Sequence, residues 1–92
     1  MTTRADAVHL IIDGARDLRD AVSYGDTACI LAVVDVVSAA VLVEHWAGLA
    51  EDAPGDGGRS EGLSRALQSH AEAVAQRSRV VHAAHEREHT AD

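Results

Sequence analysis

Apolar side chains recur at helical spacing along the first two dozen residues. Val8, Ile11, Ile12, Ala15, Leu18 and Val22 stand at offsets 0, 3, 4, 7, 10 and 14, one face of a 3.6-residue period. Asp13, Arg16, Asp17 and Asp20 lie mostly on the other side. The spacing predicts a helix over about 5–23. Gly14 weakens it slightly, since Gly costs about 1 kcal/mol relative to Ala in a helix interior. Tyr24-Gly25-Asp26 reads as a stop and a restart, with Gly25 as terminator and Asp26 as the next cap.

From Thr27 the pattern changes. Between Ala28 and Val43 every residue is apolar except Asp35 and Ser38, so no polar face is defined. Such a run is long for a strand, and Ala28, Ala32, Ala39 and Ala40 favour helix. A second helix over about 26–50 is expected. The stretch EDAPGDGGRS, residues 51–60, contains the sole proline, Pro54, and three glycines, and reads as a flexible connector. Beyond it, Leu63, Leu67, Ala71, Val74, Ser78, Val81 and His85 form a narrow stripe on an otherwise polar segment. Glu61 and Arg65 stand four apart in the favourable order. This predicts a third helix over about 60–88. The expected fold is all-α: a small antiparallel three-helix bundle forming one domain over residues 1–92.

A middle helix that is apolar all round belongs inside an assembly or a membrane. Its apolar run is shorter than the roughly 20 residues a span needs. Asp35 sits near the centre, where an acid costs about 2.5–3.5 kcal/mol on insertion, and the flanks are acidic. A membrane is therefore disfavoured. In a three-helix bundle the outer helices leave a strip of Val and Ile uncovered, and such patches usually mark protein interfaces. A homodimer, or docking on another helical protein, would bury it. The residues expected at this interface or in the core are Ile30, Val34, Val37, Val41 and Trp46. The competing arrangement is a monomer in which Thr27, Asp35, Ser38 and His45, within about 80° of one another, face water.

Composition narrows the function. The net charge is −7 and every basic residue is Arg. An acidic chain repels phosphate backbones, which excludes sequence-independent nucleic-acid binding and disfavours anionic membrane surfaces. Cys29 is the only cysteine, so no intrachain disulfide can form, and its apolar setting suggests an inert core thiol. MTTRADAV lacks the pattern of a cleavable signal, so a cytoplasmic location is expected.

Candidate chemistry is sparse. His82, His85 and His89 share one helix face in VHAAHEREH, within about 60° of one another. His85 and His89, four apart, could chelate zinc or nickel, with His82, His9 or Asp13 as a third ligand. The plainer account is a polar helix end, where His is favoured by the dipole. No nucleophile–base arrangement, phosphate-cradling glycine loop or carboxylate dyad is recognisable, so no enzymatic activity is expected.

Three short patterns carry resemblances. Trp46-Ala47-Gly48 is similar to the Trp-x-Gly turn of the WXG100 type VII secretion proteins, which implies a dimerising helical hairpin with these residues at its turn. The chain departs from that family in its uniformly apolar middle helix and its Gly-rich stretch. It also has no Tyr after Tyr24 to supply the family's C-terminal Tyr-x-x-x-Asp/Glu signal. Glu86-x-x-His89 resembles half of a ferritin-like di-iron pattern, without the second copy that pattern needs. Arg77 and His82 resemble the Arg/His spacing of HEPN ribonucleases, which the acidic charge fits poorly. The role expected on balance is a structural or regulatory interaction module.

Overall fold

The computed structural model describes residues 2–90, of which 89 and 90 by backbone alone. Three helices follow one another: α1 (Arg4–Tyr24), α2 (Thr27–Asp52) and α3 (Gly57–Thr90). The middle helix runs antiparallel to both neighbours and packs on each, whereas α1 and α3 meet only through side chains. The result is a rod of 57 × 19 × 17 Å.

The helix ends follow from local chemistry. Thr3 and Asp6 form a capping box, Thr3 Oγ1 accepting from the Asp6 amide at 3.1 Å and Asp6 accepting from the Thr3 amide at 3.0 Å. The Thr3 backbone amide, then the Thr3 side chain, hold the Asp6 carboxyl below its ordinary range. Gly25 closes α1 in the left-handed region at φ 87°, which suits a residue without Cβ. Asp26 then caps α2 through the Cys29 amide at 3.1 Å.

The second connection is tighter than its composition suggests. Glu51 and Asp52 belong to α2, Gly57 and Gly58 to α3, and only residues 53–56 lie between. Asp56 is the reason: its carboxylate accepts from the Arg59 amide at 3.1 Å and its carbonyl from the Ser60 amide. Arg59 reaches back to the Leu49 carbonyl at 3.0 Å, tying the new helix to the end of the old one. Two glycines in a first turn are tolerated once the orphan amides there have an acceptor.

The packing seam is built from small residues. On α1, Ala7, Gly14 and Ala21 are buried at intervals of seven. On α3 the inward positions are Leu63, Ala66, His70, Ala73, Arg77, Val80 and Ala84, alternating by three and four. This 3.5-residue repeat is that of knobs-into-holes packing. Among the described residues, nine of the 14 buried apolar ones are Ala, and Val43 is the largest side chain fully enclosed.

Two expected faces are consequently displaced by one position. Val8, Ile12, Ala15 and Val22 of α1 are exposed, with Ile11 and Leu18 half-buried. On α3, Ala71, Ser78 and His85 are exposed, whereas Leu63 is buried and Leu67, Val74 and Val81 are half-buried beside the inward positions. Close approach explains the shift. A Cβ on Gly14 would lie 3.0 Å from Val37 Cγ2, so this line of contact has no space for aliphatic side chains. The large residues of α1 are left on its outer flank.

Candidate association surface and the helix-end groove

Because α1 and α3 cover only part of α2, a stripe of its surface stays open. Leu31, Val34, Val41 and Leu42 are 60%, 39%, 47% and 53% exposed. Thr27, Asp35, Ser38 and His45 share that face, so the polar strip expected from the sequence exists but is interleaved with large aliphatic residues. Val34 and Val41, two of the five residues expected at an interface, open onto it; Ile30 is half-buried beside it. Val37 and Trp46 are used inside the chain, Val37 on Gly14 of α1 and Trp46 on Gly62 of α3. Leu31 and Leu42 escaped the sequence reading, although their offsets of seven and four from Ser38 place them on its azimuth.

The whole chain exposes 5830 Å², against about 5,100 Å² for a compact monomer of 9.7 kDa, as its elongated shape requires. By length and composition α2 is also the one helix among the described residues able to cross a membrane. Its packed faces carry both neighbouring helices, and these are charged along their length.

A second feature lies at the other end of the rod. Where α1 and α3 diverge, a groove of about 580 Å³ opens over Cys29 and Val33, with Ala21, Val81 and Ala84 as walls. Arg77 crosses it to Asp17, and Arg87 closes its end on Asp26 at 3.1 Å. The Cys29 amide, then Arg87, hold the Asp26 carboxyl below its usual range. The Tyr24 phenol is pushed up to about 12, first by its hydrogen bond to Glu88 and then by burial. Its ring lies 6.5 Å from that of His85. Burial raises the Cys29 thiol, as expected of an unreactive core cysteine.

Among the described residues the histidine face does not gather a ligand set. His82 Nε2 lies 3.2 Å from Glu86 and His85 Nδ1 4.0 Å from Glu88. The side chain of His89 is outside the described residues. His9 and Asp13 are ruled out as third ligands by topology. Tyr24 sits beside His85, so His9, fifteen residues earlier on α1, is about 22 Å away along the helix. No group of three or more His, Cys, Asp or Glu suited to a metal ion occurs among the described residues. Arg77 and His82 do share the groove rim, with the guanidinium bound to Asp17. Trp46-Ala47-Gly48 lies within α2 and forms no turn, so the hairpin implied by the WXG100 resemblance is absent: capping at Asp56 places the chain reversal after the tripeptide.

His70 occupies an inward position of α3 and is half-buried; burial, then Arg77, lowers its pKa. A depressed histidine favours protonation of the unfolded chain, so its contribution is present above the unfolded value near 6.5 and lost as pH falls. His70→Leu is therefore expected to raise the melting temperature at pH 5 more than at pH 8. Equal shifts at both pH values, measured by circular dichroism, would contradict the assignment.

Comparison of the chain with protein-family models, curated proteins and solved structures found no match.

Proposed function

We propose that the chain is a non-catalytic association module that works by self-association through the outward face of α2. The observation that supports this is the inversion of sizes across the bundle: alanines line the seam while Leu31, Val34, Val41 and Leu42 face outward. Burying apolar surface contributes about 25 cal/mol per Å², so an alanine seam stabilises a 92-residue chain only modestly. Covering the outward aliphatics adds what the seam lacks. Light scattering of the untagged protein in detergent-free buffer tests the reading. A mass near twice 9.7 kDa over a wide concentration range is expected. A single-chain mass at every concentration refutes it.

A further inference from the structure

We infer that the groove where α1 and α3 diverge is a binding site for a small hydrophobic ammonium ion. It lies on the packed side of α2, away from Leu31 and Leu42, so it stands apart from the association reading above. The groove exists because Ala21 and Ala84, the last seam positions of α1 and α3, are too short to fill the space between the helices. Its floor is Cys29 and Val33, only 4% and 2% exposed, and Val81 forms part of one wall. A volume of about 580 Å³ falls inside the roughly 300–1,000 Å³ range of small-molecule sites. The salt bridge of Arg77 with Asp17 crosses one end and that of Arg87 with Asp26 closes the other. Entry is therefore from the side, between Asp20 of α1 and His82 of α3.

Charge selects the ligand. Among the described residues Arg77 is the one arginine lining the groove, and Asp17 already accepts from it. Asp20 meets Arg19 at 3.7 Å with both side chains about three-quarters exposed, an arrangement that holds little. On the opposite lip, His82 and His85 stand against the carboxylates of Glu86 and Glu88. The mouth is therefore acidic, in a chain whose net charge is −7. An apolar groove beneath an acidic mouth repels a carboxylate and favours a cation, and low-dielectric walls focus that field. Tyr24 lines the same wall as Asp20 and supplies an aromatic ring, whose face attracts ammonium groups. The apolar body of the ligand then lies on Val33 and Val81, with its ammonium beside Asp20.

A matched set of probes tests the site: naphthylmethylammonium, naphthylmethanol and naphthoate share one apolar body and differ in charge. Each is titrated at neutral pH and low salt into the isotope-labelled chain, and the amide shifts of Tyr24, Cys29 and Ser78 report binding. Saturable shifts are expected, tightest for the ammonium and weakest for naphthoate. Asp20→Asn, at an exposed position, should weaken the ammonium about two- to fivefold, the reach of one exposed charge, and leave the alcohol unchanged. Ala84→Leu should fill the groove and block all three probes. Ser78→Phe, from the exposed rim, does the same should Ala84→Leu fold poorly. Naphthoate binding as tightly as the ammonium, or an ammonium affinity unaltered in Asp20→Asn, would overturn the charge assignment. The absence of saturable shifts at these residues, or shifts confined to the outward face of α2, would remove the site.

Discussion

Gly62→Ala will destabilise the bundle by about 1–3 kcal/mol, the range for overpacking a filled site, even though Ala is the better helix former by about 1 kcal/mol. The indole of Trp46 lies across the Gly62 backbone, and a Cβ there would sit 2.4 Å from Cε3 and 2.5 Å from Cζ3. Nonbonded carbons do not tolerate that separation, so the ring must move. A displaced ring gives up contacts: Trp46 packs on the cluster of Val43, Ala47, Leu63 and Ala66, and meets His45 edge-on at 5.7 Å. Gly57→Ala provides the matched comparison, because nothing lies within 4 Å of the Cβ it would add. That substitution should be neutral or stabilising by up to about 1 kcal/mol. Urea midpoints separate the two. Trp46, the only tryptophan, reports its own displacement through its emission maximum. An unchanged midpoint and emission in Gly62→Ala would show that the indole does not occupy this position.

The helices were legible in the sequence because their signals are local. Gly25 and Asp26 punctuate α1 and α2 through bonds made within four residues, and a sixteen-residue apolar run rich in Ala has few other options. The faces were less legible. On α1 the size of Val8, Ile12 and Val22 pointed to one side, yet Ala7, Gly14 and Ala21 are buried. Hydrophobic periodicity weights large residues, whereas an alanine seam is chosen by how closely two backbones can approach, a property of the pair of helices. The same holds at Gly62, whose role exists only once Trp46 arrives from another helix. The 51–60 stretch misled for a related reason: its glycines suggested a loop, but Asp56 and Arg59 supply the bonds that start α3 early. On α2, where apolar residues occupy every azimuth, the sequence could give the stripe's composition but could not say which side α1 and α3 would leave open.

That open side carries the largest expected effect on assembly. Leu31→Glu combined with Leu42→Glu should convert the proposed dimer to a monomer while leaving the helices intact. Fully burying a Leu side chain is worth about 1.5–3 kcal/mol, and these two are more than half exposed in the isolated bundle. Covering the remainder therefore contributes roughly 1 kcal/mol per leucine. A symmetric pair would cover the leucines of both chains, so four leucines contribute about 4 kcal/mol, or roughly a thousandfold in Kd. Glu reverses the sign as well, since an unpaired carboxylate at a closed seam must be desolvated. Four more negative charges across a dimer of chains at −7 each add repulsion. Within one bundle the same positions point to solvent and Glu is a good helix former, so the monomer's helicity should persist. Light scattering and far-ultraviolet circular dichroism, run on the same sample, read the two consequences separately. Lost mass with retained helicity is the expected pair. An intact dimer would move the interface to the outer flank of α1, where Val8, Ile12 and Val22 are also exposed. Loss of helicity together with mass would mean that these leucines support the fold of the single chain, contrary to their exposure in the bundle.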